Sequence, residues 1–172
     1  MGATNFLSHV RELYAHMEWA DRAVWAALAF SPEATGDAAI RDLLFHSHFT
    51  QHAFLQFWLG ESVDRPDPDR FTSINDLRTW AADNHTAIRD FVASVDETSL
   101  CQIAIVPWSR MFSRELGREA APTTLMDTLV QVPAHSLYHR GQVNRRLREI
   151  GGEPPLVDFI VWKWLGEPAL SR

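Results

Sequence analysis

Cysteine is nearly missing from this chain: Cys101 is the only one in 172 residues. A single thiol excludes an intramolecular disulfide framework and any CxxC redox or metal motif. No apolar run approaches the length needed to cross a bilayer, so no membrane partner is expected. The first residues, Met1-Gly-Ala-Thr-Asn-Phe6, lack the basic stretch and apolar core of a secretory signal, and a reducing cytoplasm is the expected location. Positive charge is also short, with 16 Lys and Arg against 22 Asp and Glu, a net charge of −6 and a pI near 5.7. That balance argues against a nucleic-acid partner, which needs a phosphate-neutralising surface. Lys163 is the only lysine, and the arginine bias carries no functional reading. A Ser-His-Asp or Cys-His arrangement, a phosphate-cradling glycine loop and a haem attachment motif are all missing.

What remains is ordinary globular composition, 46% hydrophobic and 22% charged, in a length that suits one domain over residues 1–172. The seven tryptophans are read mostly as packing residues. Apolar positions Phe6, Val10, Leu13, Met17, Ala20, Val24 and Leu28 predict a long amphipathic helix from about Thr4 to Phe30, stopped at Ser31-Pro32. A second helix is predicted from about Ala38 to Leu59, apolar on most sides and ended by Gly60. Two prolines and four acidic residues mark Glu61 to Phe71 as a loop. Thr72 or Ser73 then caps a third helix with Leu77, Ala81, Asn84, Ile88, Phe91 and Val95 on one stripe. Residues 102–106 and 108–112, broken by Pro107, predict a short β-hairpin or irregular excursion. A fourth helix follows Pro122-Thr-Thr and runs to Ile150, and a short helix spans about Asp158 to Leu165. The fold class is therefore all-α, a four-helix bundle of up-down type whose core is a standard place for a metal site.

His135 and His139 lie four residues apart in the fourth helix, one above the other on a single face, so both rings can reach one metal ion. The stripe Leu125, Leu129, Val132, Val143, Leu147 and Ile150 includes His139, which is expected to be buried, with His135 at its edge. A lone histidine there would read as a hydrogen-bonded core residue; the pair favours a metal site. Pro133 removes a donor in mid-helix. Either a kink aims His135 inward or the helix begins at Pro133. A third ligand has to come from another helix. His46 shares a side with Leu43, Thr50, Ala53 and Phe57, while His48 and His52 form a rival pair at the same spacing. Periodicity alone leaves both open. His9, His16 and His85 read as solvated or capping histidines. Asp42 and Asp21 are candidate general bases, although each fits a surface or capping carboxylate.

The run His135-Ser-Leu-Tyr-His139-Arg-Gly-Gln, the helix end Leu147-Arg-Glu-Ile-Gly-Gly and the segment Pro154-Pro-Leu-Val-Asp158-Phe resemble the C-terminal signature of the DinB-like metalloenzyme family. Leu43-Leu-Phe-His46 with Trp58-Leu-Gly resembles its helix-two histidine segment. Tyr14 through Trp19-Ala-Asp21-Arg22 resembles its first-helix motif, with Asp21 where asparagine is usual. The likeness covers nearly the whole chain. It implies a four-helix bundle whose divalent ion is held by His46, His135 and His139, in preference to His48 and His52. Gln131 stands where many members carry another histidine.

Three neutral imidazoles leave coordination positions open for water or substrate, the pattern of a catalytic site. All-nitrogen ligation suits zinc or nickel. The expected activity is hydrolysis by water that the ion activates, acting on a small molecule. The resemblance also implies a thiol-dependent S-transferase or isomerase using a low-molecular-weight thiol, and the non-enzymatic alternative is a stress-related metal-binding module. A homodimer is expected, with Trp162-Lys-Trp164-Leu165 either at the contact or packed on its own bundle.

Overall fold

The computed structural model describes residues 6–168. The expected helix start at Thr4, like the leader reading of the first five residues, lies outside them. Helix α1 (Phe6–Ala29) is followed by a single turn α2 (Pro32–Thr35), then α3 (Ala38–Trp58) and α4 (Ile74–Ser94). Short elements come next: β1 (Ile103–Ala104), a 3-10 turn over Pro107–Phe112, α5 (Ser113–Leu116) and β2 (Thr123–Thr124). The chain closes with α6 (Leu125–Glu149) and α7 (Phe159–Trp164). The all-α class holds, with one two-stranded ladder as the exception among the described residues.

Side-chain chemistry fixes the helix starts. Asp37 accepts from the Ile40 amide at the head of α3, and Ser73–Asp76 and Thr124–Asp127 form reciprocal capping boxes at the heads of α4 and α6. Each box satisfies two amides that the first turn leaves without partners. The far end of α6 closes on Gly151, at φ 85°, and the Gly152 amide donates to the Leu147 carbonyl at 2.9 Å. A Cβ on Gly152 would strike the side chain of fully buried Leu147. Because α6 begins at Leu125, the reading in which this helix starts at Pro133 is excluded, and Pro133 sits in its interior.

The excursion differs in detail from the expected hairpin. Ile103 and Ala104 pair antiparallel with Thr124 and Thr123, across the excursion, and not with residues 108–112. Pro107 explains the change. It has no amide to give a ladder, and its fixed φ suits the first position of the helical turn it opens.

Around the bundle the neighbours run α1, α6, α3, α4. Stacked rings pair Phe45 with Trp80 and Trp58 with Phe91, so α3 and α4 run in the same direction, with residues 59–73 returning the chain between them. Helix α6 runs against α3, since Trp58 donates to Thr128 at one end and Asp37 pairs with Arg146 at the other. The four directions are up, down, down, up.

Two apolar clusters fill the core. One gathers Tyr14, Met17, Phe54, Ile88, Leu129 and Val132, and the other Val24, Leu28, Ile40, Leu44, Leu77, Val143 and Leu147. A belt of buried polar residues separates them: Asp21, His48, Gln51, His85, Ser136 and Arg140. In the tail, Trp162 packs on its own bundle against His16, while Trp164 is 77% exposed. No helix among the described residues is long and apolar enough to cross a membrane.

Candidate metal centre

His46 of α3 meets His135 and His139 of α6 across the seam between these helices. Their ring centroids lie 5.2 and 4.5 Å from that of His46 and 4.3 Å from each other. One ligating nitrogen from each falls within 4.8 Å of the other two. The antiparallel pairing of α3 with α6 produces this convergence, because it sets position 46 beside 135 and 139.

The surroundings of the three rings suit metal ligands. Burial, with the neighbouring His139 and His46, pushes the His135 imidazole down to about 4, so the ring is neutral at pH 7. Partial desolvation of its ring, with the neighbouring His139 and Arg65, also lowers His46. His139 Nδ1 donates to the Gln142 side-chain oxygen at 2.7 Å, which fixes the tautomer and leaves the Nε2 lone pair free. His135 Nε2 is buried with no hydrogen-bond partner. An orphaned buried ring nitrogen costs free energy unless something is there to meet it, and a cation fits a lone pair.

The sequence expectation for His139 needs a correction. His139 and His135 are half-buried, and His46 is exposed. The fully inward line of α6 is instead Leu129, Val132, Ser136, Arg140, Val143 and Leu147. The histidines flank that line on the α3 side.

The rival pair does not form a site of its own. His48 is 1% exposed; it donates through Nδ1 to Gln51 and accepts from the Trp25 indole through Nε2. His52 Nδ1 donates to Asn84 Oδ1, toward α4. His48 does belong to a second group with metal-ligand spacing, together with Asp21 and His85. There the donors are already used. Asp21 accepts from Arg140 at 2.6 Å, from Gln51 at 3.0 Å and from His85 at 3.2 Å. Burial raises the Asp21 carboxyl, but the His85 hydrogen bond and the Arg140 charge outweigh it and hold the group well below the usual carboxylate range. A guanidinium against one carboxylate oxygen also disfavours a further cation at this point.

Asp21 is therefore no surface or capping carboxylate, and neither His85 nor His16 is solvated. His85 is buried on Asp21, and buried His16 contacts the Val157 carbonyl at 2.9 Å. His9 is the exposed one of the three. The sequence carried a signal for this belt, since Ser136 and Arg140 are polar residues on the apolar line of α6. Gln51 Nε2 donates both to Asp21 and to Ser136 Oγ, each at 3.0 Å. The residues that follow the two α6 histidines, Ser136 and Arg140, are thus tied to one carboxylate of α1.

A model of the DinB family matches residues 1–169. The chain belongs to the DinB family. A search among curated proteins gives no match. Membership agrees with the helical architecture and with a histidine cluster that could hold a metal ion.

Proposed function

We propose that His46, His135 and His139 hold one divalent ion, zinc or nickel, and that this DinB-family protein is a metal-dependent enzyme acting on a small molecule, with hydrolysis as its first reading. The observation that carries the proposal is the orphaned His135 Nε2 beside two further imidazoles. When bound, such an ion supplies Lewis acidity at its open coordination positions to a water molecule or a polar substrate group. The chain's own part is positional. Gln142 orients His139, and the belt around Asp21 sets the rotation of α6 that turns both its histidines toward α3. Asp21 itself is too fully hydrogen-bonded to act as a base. That leaves Asp42, exposed one helical turn before His46, as the carboxylate on the ligand side.

The test is metal content and turnover in protein without a polyhistidine tag. His46→Ala, His135→Ala and His139→Ala should each lose most bound zinc or nickel while keeping their helicity, and His52→Ala should keep the metal. Ester and amide hydrolysis should vanish in the same three variants. Metal that persists in them refutes the centre. Turnover of a thiol with an electrophile, in place of hydrolysis, moves the assignment to thiol transfer, and metal binding without either activity moves it to a binding module.

A further inference from the structure

The excursion between α4 and α6 roofs a cavity of about 540 Å³, within the range of small-molecule sites. Its apolar wall is made by Phe54 of α3, Val106 and Trp108, with the Trp108 ring 5.0 Å from that of Phe54 at a steep angle. Its lining reaches Gln131 of α6, four residues before His135. Four residues of helix advance about 6 Å, so the cavity ends one turn short of the histidine cluster.

The polar side chains in this lining that have no hydrogen-bond or ion-pair partner among the described residues include Arg110, Glu119 and Gln131, all exposed. The cavity of similar size between α1 and α4 contrasts with it. There Arg89 and Arg22 pair with Glu18, and Arg11 donates to the carbonyls that end α4. That second cavity also lies on the side of the bundle away from the α3–α6 seam.

We infer that the cavity under the excursion holds the apolar, aromatic body of the substrate, whose polar reacting group passes Gln131 to reach the histidine centre. One cation, Arg110, against two carboxylates, Glu119 and the helix-capping Asp127, on the lining favours a neutral or zwitterionic molecule over a phosphorylated one. An aromatic body is preferred because Trp108 and Phe54 offer ring edges and faces to pack against. The inference rests on the metal-dependent reading of His46, His135 and His139 and names the class of molecule that centre acts on.

Two probes test it by calorimetry on the full chain, zinc-free and zinc-loaded. 2-Naphthylmethanol carries the body alone, and 2-naphthohydroxamic acid adds a zinc-chelating head. Both should bind zinc-free protein, and zinc should tighten only the hydroxamate, by about tenfold or more. 2-Naphthyl phosphate should bind more weakly than the alcohol. Ala121→Trp, which fills the cavity from an exposed link, should weaken both probes by about tenfold and leave zinc stoichiometry and helicity unchanged. Trp108→Ala should act in the same direction. The inference is overturned if Ala121→Trp binds the alcohol normally, if zinc-loaded Ala121→Trp binds the hydroxamate as tightly as zinc-loaded wild type, or if the phosphate binds best. Failure of the centre looks different: wild-type protein would take up no zinc, while the alcohol would still bind and still be excluded by Ala121→Trp.

Discussion

The phenol of Tyr14 donates a hydrogen bond to the carbonyl of Leu129, 2.9 Å away. Leu129 is four residues before Pro133, so its carbonyl is the one in α6 that proline leaves without an intrahelical donor. A residue of α1 therefore supplies what the ring removes, and burial drives the Tyr14 phenol well above its ordinary pKa, keeping it a donor. Tyr14→Phe should cost about 1–3 kcal/mol in urea unfolding, because it strands a buried acceptor. In a Pro133→Ala background the restored amide should take over and shrink that cost. Equal costs in both backgrounds would show that the two groups do not serve the same carbonyl.

Asp21→Asn should be far more damaging than loss of a surface ion pair. It leaves the Arg140 charge buried at 5% exposure without its counter-charge, a change worth about 3–5 kcal/mol. It should also weaken zinc binding by about 10- to 100-fold, since Ser136 and Arg140, the neighbours of both α6 histidines, lose their common anchor. Glu149→Gln, which removes an exposed partner of Arg145, should alter neither quantity by a comparable amount. Wild-type zinc affinity in a folded Asp21→Asn protein would contradict the positioning role.

Chelation should leave the protein folded. Two apolar clusters and capped helices already hold the bundle, so metal adds only ligand linkage, about 3–4 kcal/mol at a hundred to a thousand times its dissociation constant. Circular dichroism in excess chelator should keep its helical signal. Outright unfolding would make the centre structural.

Metal-free stability should fall as pH drops from about 6.5 toward 4. His48 and His135 are both held near 4 in the folded chain, mainly by burial, against about 6.5 when unfolded. Between those values the unfolded state binds more protons, so acid favours unfolding; well above 6.5 neither state is protonated at these two rings and their contribution levels off. Urea midpoints across this range measure the slope, and His48→Gln should reduce it. A flat profile between pH 4 and 6.5 would count against both depressed values.

A second copy is proposed to cover part of the exposed tail, where Ile160, Trp164 and Leu165 are all more than half exposed. Light scattering at tens of micromolar, an order-of-magnitude concentration for weak interfaces, should report a dimer that Trp164→Asp dissociates. A wild-type monomer at that concentration removes the proposal.

Much of this was legible from spacing. Two histidines one turn apart on α6 point to a shared ligand face, and the likeness of Leu43-Leu-Phe-His46 to the family's segment favours His46 in α3, which the structure brings beside them. Periodicity could not make that choice. Helix α3 faces α6 at His46, α4 at His52 and Trp25 of α1 at His48, so each of the three histidines has a neighbour to face. The buried belt was hidden for a related reason. Asp21, Gln51 and Arg140 look like surface residues until three helices bring them together, and their low exposure depends on partners remote in sequence. The strand pairing of β1 was equally invisible, because its partner lies beyond an intervening helical turn that only Pro107 hints at.

The seam that carries the three histidines joins α3 to α6, which are far apart along the chain. Closing so long a loop is entropically costly, and contacts of this range form late in a folding reaction relative to local helix formation. With α3 and α4 side by side and parallel, the first three long helices can associate before the last one arrives. Only when α6 docks do His135 and His139 meet His46. Zinc uptake at the proposed centre during refolding would thus be a clock for the final docking step, and a chain truncated before α6 would carry His46 with no partner to complete that centre.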